Sequence, residues 1–220
     1  MLSDPPRLGT HWHWNSGGEL GLEDEQVNDI QVHHVIATLG RTMTIGALRN
    51  QANQYAALAE VFVHFDDDDY SHPNRIAEQV ALLQASGADC VGYNEMLFWR
   101  ERDVQLSTWP GEAWLYTGTR GGVPALGTSL CYWRKTWERH HFANETQGVE
   151  DHWLREKNVV GVSSLQHPRE IMCDEDPRMI ARIHGGNTSN GYDLEKHVAN
   201  GSREWKRVLE WDARVREILK

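Results

Sequence analysis

Four consecutive carboxylates, Asp66, Asp67, Asp68 and Asp69, follow directly on the strand-like run 61–65. Adjacent anions repel one another, and nothing in fold stability requires four of them together. At the carboxyl end of a buried strand they would form a pocket for a hard divalent cation, which takes oxygen ligands and cancels the repulsion. A solvated acidic loop is the alternative explanation of such a run. The strand before it and the helix signal after it favour a metal and phosphate site.

Composition limits the classes of function that fit the chain. Of 220 residues, 40% are hydrophobic and 25% are charged, as in an ordinary soluble globular protein with one large domain. The net charge of −10 argues against sequence-independent binding of nucleic acid. An anionic substrate such as a nucleotide would therefore need a cation or a local arginine to be held.

Cysteine usage and the lack of targeting signals predict a cytoplasmic protein. Cys90, Cys131 and Cys173 are an odd number without CxxC spacing, which argues against a disulfide scaffold and a zinc finger. No apolar stretch approaches the length of a membrane span. The N-terminus also lacks the basic-then-apolar order of a signal peptide.

The elements that must position the acidic run alternate between strand and helix patterns. Residues 1–28 are rich in Pro, Gly and charge and predict an irregular arm, followed by a single domain over 29–220. Ser71 is the predicted N-cap of the helix that follows the carboxylates. This order indicates α/β layering and a largely parallel sheet. The predicted strands cover 31–37, 61–65 and 88–98, and the predicted helices cover 44–60 and 73–86.

The second half of the sequence has a different pattern. Residues 103–134 contain short β-like pieces with Gly and Pro between them, which predict an antiparallel excursion at one edge of the sheet. Helices are predicted to begin near Trp133 and at Val149. Further strands are predicted at 159–165 and 179–183, and an amphipathic helix at 203–219, with Trp205, Val208, Leu209, Val215 and Ile218 facing inward.

Taken together, four stretches over about 31–190 resemble the family 2 glycosyltransferases of the GT-A fold. They occur in the order, and at roughly the spacing, that this family shows. A lone Asp-x-Asp is weak evidence, whereas four stretches in order are more specific. The stretches are GALRNQA at 46–52, the acidic run leading to Pro73 and Arg75, the pair Glu150-Asp151, and IHGGNT at 183–188. The resemblance implies a GT-A-like three-layer α/β/α sandwich with a mostly parallel mixed sheet.

The resemblance also implies a metal-dependent transfer of sugar from a nucleotide-sugar to a hydroxyl acceptor. Asp66 and Asp68 resemble the pair that holds Mn²⁺ or Mg²⁺ against the donor diphosphate, and His184 resembles a late ligand of that metal. The donor-binding residues that it implies are Arg49, Asn50, Asp67 and Asp69.

Catalysis is assigned by the same resemblance to the pair Glu150-Asp151. Asp151 resembles the general base that accepts the proton of the acceptor hydroxyl, and Glu150 would orient it or contact the acceptor. In-line attack would invert the anomeric configuration. Trp109, Trp114 and Trp133 are candidate stacking surfaces for the acceptor.

Elementary chemistry agrees with these roles. A divalent metal stabilises the negative charge that develops on a leaving diphosphate, and a hydroxyl is a poor nucleophile until a carboxylate accepts its proton. Each residue also has an ordinary explanation. The acids at 150–151 suit a helix N-terminus, His184 could be a turn residue, and Arg49 could lie on a helix surface.

The chain departs from the family at its beginning. The two early strands that bind the nucleoside are not recognisable, so the domain resembles an N-terminally truncated one. An arm containing Trp12 and Trp14 could cover the gap, or a second subunit could fill it as a homodimer. Alternatively, the protein could be a degenerate relative.

Two other functions remain open from the sequence. The first is a catalytically inactive GT-A-like module that binds a glycan or a protein, which would bind no nucleotide even with metal present. The second is a nucleotidyltransferase, which would need a Gly-rich phosphate loop early in the chain. The only candidate for that loop, 7–9, is unconvincing.

Overall fold

A computed structural model describes residues 32–34, 43–56, 58–101, 111–118, 122, 124–146, 148–165, 176–184, 200–201 and 203–220. Several sequence predictions lie outside these residues: the arm 1–28, most of the strand 31–37, Trp109, Cys173, and the glycines after His184.

The described strands belong to one sheet that is centred on a long strand, β4. The order along the sheet is β1-β2-β6-β4-β5-β9, with β7 and β8 paired to successive parts of β4 and β3 paired to β8. The strands are β1 (Val32–His34), β2 (Val61–Val63), β3 (Tyr70–Ser71), β4 (Cys90–Arg100), β5 (Glu112–Thr117), β6 (Cys131–Trp133), β7 (Val159–Ser163), β8 (Met179–Ile183) and β9 (Trp205–Arg207).

The prediction of a largely parallel sheet is wrong for the described strands, because five of their eight pairings are antiparallel. β1 pairs with β2 in parallel, and β7 and β8 pair with β4 in parallel. The antiparallel pairs are β2 with β6, β3 with β8, β4 with β5, β4 with β6, and β5 with β9. The antiparallel pairing of β5 and β6 fits the predicted excursion, but the predicted place at one edge of the sheet is wrong for β6, which lies between β2 and β4.

Five α-helices connect these strands. They are α1 (Ile45–Tyr55), α2 (Arg75–Ser86), α3 (Arg134–Arg139), α4 (Val149–Leu154) and α5 (Asp212–Ile218) among the described residues. The hydroxyl of Thr44 accepts the backbone N–H of Ala47 at 3.2 Å and caps α1. Gly87, with φ of 63°, ends α2 as predicted. The N-cap of α2 is Asn74, not Ser71, because Ser71 is in β3.

Neighbouring residues of the central strands point into two different cores. On one face, Phe62 and Tyr132 pack with residues of α3 and α4 and against α1. On the other face, Val61, Val63 and Cys131 pack with residues of α2. Because side chains alternate along a strand, this pattern requires helices on both faces. In this part of the chain, the described residues therefore form layers of helix, sheet and helix.

The C-terminal prediction of one helix over 203–219 is wrong in its first half. Trp205–Arg207 pairs with β5, a 3₁₀ turn follows at Leu209–Trp211, and only α5 is α-helical. Leu209 was expected to face inward, yet it is 71% exposed, whereas Val215 is fully buried. The spacing of Trp205 and Val208 fits one helical turn. It fits equally well a strand whose Trp205 joins the aromatic cluster on the sheet.

Gly46 in α1 provides a test of packing against helix propensity. A Cβ at this position would lie 1.7 Å from the carbonyl oxygen of Ala143, and its backbone N–H donates to Glu145 O at 3.2 Å. Alanine normally stabilises a helix interior by about 1 kcal/mol relative to glycine. Gly46→Ala should instead lower the free energy of unfolding by about 2–4 kcal/mol, because backbone must move. Urea denaturation measures the change. Gln54→Ala, on the exposed side of α1, is the control. An unchanged midpoint for Gly46→Ala would contradict the packing.

Candidate functional site

The acidic run forms a turn between β2 and β3. We call Asp66–Asp69 the acidic turn, and it is closed by the N–H of Asp69, which donates to Asp66 O at 3.3 Å. Asp67 is exposed and the other three are half-buried. The turn follows the carboxyl end of β2, as the sequence predicts.

Arg75, the first residue of α2, attaches the acidic turn to the rest of the fold. Its guanidinium is fully buried and donates to His64 O at 2.9 Å, to Ser71 Oγ at 3.3 Å and to Thr128 O at 3.4 Å. Its Nε also donates to Gln79 Oε1 at 3.1 Å. The residues before and after the turn are thus held by one side chain, together with the loop that precedes β6.

Asp68 lies against His184. The Oδ2 of Asp68 and the Nε2 of His184 are 2.6 Å apart, although 116 residues separate them in sequence, and both side chains are about one-third exposed. His184 reaches this position because it directly follows β8. The structure therefore brings together two of the three residues predicted to hold a metal.

Asp69 is the most enclosed carboxylate of the turn. Its Oδ2 accepts the Thr128 hydroxyl at 2.8 Å, and its Oδ1 accepts the backbone N–H of Arg182 at 2.9 Å. Burial raises the pKa of Asp69 to about 7, and the negative charges of Asp66 and Asp68 also raise it, although the two hydrogen bonds oppose the shift. Burial, together with the neighbouring negative charges, therefore makes the ionised form of Asp69 unfavourable at this position.

A second cluster surrounds His64, the residue that directly follows β2. The Arg49 guanidinium lies against the His64 ring, donates to Gly127 O at 3.3 Å and pairs with Glu150 Oε1 at 2.7 Å. Nδ1 of His64 is 2.6 Å from Gly127 O, and Nε2 is 3.1 Å from the hydroxyl of Tyr132. Burial lowers the pKa of His64, and the charge of Arg49 lowers it further, so the ring is neutral. Two predicted site residues, Arg49 and Glu150, are thereby in direct contact.

The remaining predicted residues take separate positions. Asp151 is exposed in the first turn of α4, beside Glu150. Asn50 has both ends of its amide bonded within the fold: Nδ2 donates to Phe142 O at 2.8 Å, and Oδ1 accepts from Phe142 N and from Trp137 Nε1. A donor contact by Asn50 would have to compete with these bonds.

Trp114 and Trp133 do not lie together. Trp114 is half-buried against the aromatic cluster of β4, β5 and β9, with Arg207 6.0 Å from its ring. Trp133 pairs with Val61 in the sheet, at the opposite end of β2 from the acidic turn. Trp133 also lines an open groove of about 820 Å³ beside the end of α2.

The donor set fits a divalent cation chemically. Carboxylate oxygens with one imidazole suit Mn²⁺, and carboxylate oxygens suit Mg²⁺. Burial is the main cause of the Asp69 pKa near 7, and the smaller contribution from the negative charges of Asp66 and Asp68 is one that a cation would compensate. Within the described ranges, however, no three His, Cys, Asp or Glu side chains are arranged around one metal position. Asp68 and His184 instead contact each other directly, so a cation between them would require the pair to separate.

Two residues of this site were missed from the sequence. His64 was treated as part of an apolar strand, although an ionisable residue that interrupts an apolar run beside four acids is itself a signal of a polar network. Thr128 was assigned to a β-like piece, whereas it lies in a 3₁₀ turn, Gly127–Ser129. This 3₁₀ turn contacts both the acidic turn and the cluster around His64. Its contact with Asp69 spans 59 residues and has no local signal in the sequence.

Comparisons with known proteins give distant structural similarity, and one example is described here. The sequence matches no protein-family model, and no curated protein matches it significantly. A crystal structure of S. aureus TarS 1–349 in complex with UDP-GlcNAc, from a glycosyltransferase, is similar to this chain with a TM-score of 0.40 and 14% identity. The match covers 68% of this chain and 42% of that one, so the chain spans less than half of the neighbour's length. A similarity this distant assigns no activity.

The described helices were also compared with the requirements for a membrane span. None of them has both the length and the apolar character needed to cross a bilayer.

The pKa of Asp69 predicts a pH dependence of stability. An unfolded Asp titrates near 3.9, so between about pH 4 and 7 the folded state binds the proton more tightly. The stability that neutral Asp69 contributes is fully present below about pH 4 and is lost as the pH rises through 7. In EDTA, Asp69→Asn should therefore match the wild type at pH 4 and be more stable by roughly 2–4 kcal/mol at pH 8. Urea denaturation across this range measures the difference. Parallel pH profiles for the two proteins would contradict it.

Proposed function

We propose that this protein is a metal-dependent, inverting glycosyltransferase of GT-A-like fold, which moves a sugar from a nucleotide-sugar to a hydroxyl acceptor. The observation that carries the proposal is the contact of Asp68 with His184. The sequence resemblance assigns both residues to one metal shell, and the fold brings them within 2.6 Å from opposite halves of the domain. A merely solvated acidic loop would need no such partner.

The residues of the acidic turn supply the donor end of the site. Asp66, Asp68 and His184 would hold Mn²⁺ or Mg²⁺, which supplies positive charge to the departing diphosphate. Asp69 stabilises the turn, because its carboxylate accepts hydrogen bonds from the Thr128 hydroxyl and from the backbone N–H of Arg182. Asp67 is exposed to solvent beside it and is available to a donor.

Asp151 supplies the base. It is exposed at the first turn of α4, so its carboxylate can accept the proton of an acceptor hydroxyl. The hydroxyl oxygen forms a bond to the anomeric carbon as the bond from that carbon to the diphosphate oxygen breaks. The electron pair leaves with the diphosphate, and attack from the opposite face inverts the anomeric centre.

A thermal-shift panel tests the donor site. UDP, GDP, CDP and dTDP are each measured with and without Mn²⁺, on the wild type and on Asp68→Ala. One nucleotide should raise the melting temperature by several degrees only when Mn²⁺ is present, because a ligand at a hundred times its Kd adds about 2.7 kcal/mol. The shift should vanish in Asp68→Ala and persist in Glu210→Ala, an exposed carboxylate outside the acidic turn.

The other outcomes of this panel separate the alternatives. No shift with any pair would overturn the glycosyltransferase proposal and favour an inactive module that binds a glycan or a protein. The corresponding nucleoside triphosphates are measured in the same way, and a shift with a triphosphate but with no diphosphate would instead favour a nucleotidyltransferase.

Asp151→Asn tests the base separately from the donor site. Transfer should fall by about 10²–10⁴-fold, because the acceptor proton loses its receiving carboxylate. The Mn²⁺-dependent thermal shift should remain, since Asp151 does not lie in the acidic turn. Sugar transfer from the nucleotide-sugar that the panel identifies is measured by release of the diphosphate. Transfer at the wild-type rate would eliminate Asp151 as the base.

A further inference from the structure

Three segments that the proposed reaction requires meet at one cluster of polar side chains. Arg49 comes from α1, His64 follows β2 just before the acidic turn, and Glu150 comes from α4, directly before the proposed base. We call Arg49, His64 and Glu150 the bridging cluster. Nothing in the sequence resemblance pairs these residues with one another.

The contacts within the bridging cluster run in one continuous chain. One end of the Arg49 guanidinium pairs with Glu150 Oε1 at 2.7 Å. The other end lies against the His64 ring and donates to Gly127 O. The side chains of Arg49 and Glu150 are only 14% and 15% exposed, so solvent screens their attraction weakly.

The position of His64 is itself fixed by further contacts. Its Nε2 lies 3.1 Å from the hydroxyl of Tyr132, which in turn accepts Asn53 Nδ2 at 3.0 Å. The backbone N–H of His64 donates to Leu130 O at 2.8 Å. Arg49 therefore contacts a rigid group rather than a mobile surface side chain.

Glu150 is enclosed on its other side by Gly127. A Cβ at position 127 would lie 2.6 Å from Glu150 Cγ, so the glycine provides the space that the glutamate occupies. Because of this packing and the ion pair, Glu150 points into the protein.

The direction of Glu150 matters because α4 has only six residues. A helix this short has little stability of its own, and its orientation is set by its tertiary contacts. Successive helical residues differ in direction by about 100°, so holding Glu150 inward determines where Asp151 points. Val149, Trp153 and Leu154 hold the helix against the core, and the ion pair of Glu150 with Arg49 adds a polar contact that further restricts its rotation.

We propose that Arg49 and Glu150 are positioning residues that orient the base Asp151 relative to the acidic turn through His64, and that Glu150 does not contact the acceptor. The effect on catalysis rests on the proposed function. The mechanical link, by which Arg49 joins α4 to His64 at the end of β2, does not. The sequence resemblance allowed Glu150 to contact the acceptor and gave Arg49 a donor-binding role. In this proposal neither residue contacts a substrate, and both act by positioning Asp151.

Steady-state kinetics of Arg49→Met, Glu150→Gln and the double variant test the catalytic consequence. Each single variant should lower kcat about tenfold or more and leave the donor KM within about twofold, because only the orientation of the base changes. The double variant should be no slower than Arg49→Met alone, and Arg49→Lys should recover part of the loss. If the two losses multiply, or if KM rises at unchanged kcat, Glu150 or Arg49 contacts a substrate and the proposal is overturned.

Hydrogen exchange of the ligand-free protein tests the mechanical link without any activity. Amides of 149–154 should exchange about tenfold faster in Arg49→Met and in Glu150→Gln, while those of α2 keep their wild-type rates. Glu138→Gln, which breaks the exposed pair with Arg134 on α3, is the control and should leave 149–154 unchanged. Unchanged exchange at 149–154 in Arg49→Met overturns the proposal. A protein that shows the link yet binds no nucleotide would overturn the proposed function alone.

Discussion

The repulsion among four adjacent carboxylates is the constraint on which the rest of the site depends. Two like unit charges about 4 Å apart repel each other by on the order of 1–4 kcal/mol near a protein surface. Because the turn is only partly solvated, the fold must bring compensating groups to it. These groups come from distant segments: His184 after β8, Arg182 within β8, Thr128 before β6 and Arg75 at the start of α2.

Much of the local structure could be predicted from the sequence, whereas strand pairing could not. Gly87 ends α2, and α4 begins at Val149, because both signals act within one helical turn. Which strand lies beside β2 depends on contacts far apart in sequence. β6 pairs with it across about seventy residues, and its hydrophobic pattern is the same for either direction of pairing. Tertiary pairing likewise determines that Trp205 belongs to a strand.

In the candidate site, too, residue types could be predicted from the sequence, whereas contacts between distant residues could not. The acidic turn was predicted from its residue types, and His184, Glu150 and Asp151 were predicted from the resemblance to the family 2 glycosyltransferases. The pairing of Arg49 with Glu150 was not predicted, since an arginine on a helix gives no sign of its partner. His64 was missed because its polar partners, Gly127 and Tyr132, come from a later part of the chain.

Arg75 shows that this region is not arranged for stability alone. A cation in the first turn of a helix opposes the helix dipole, and burial of the guanidinium lowers its pKa because water is removed. A buried ionic network is often no more stable than well-packed apolar residues of similar volume. Apolar side chains at 75 and 79 would, however, leave the carbonyls of His64, Thr128 and Ser129 without these donors. Such a change would also remove a positive charge from beside Asp66 and Asp69. The buried arginine is therefore best explained by the need to hold the acidic turn in one conformation, which the proposed cation site would also require.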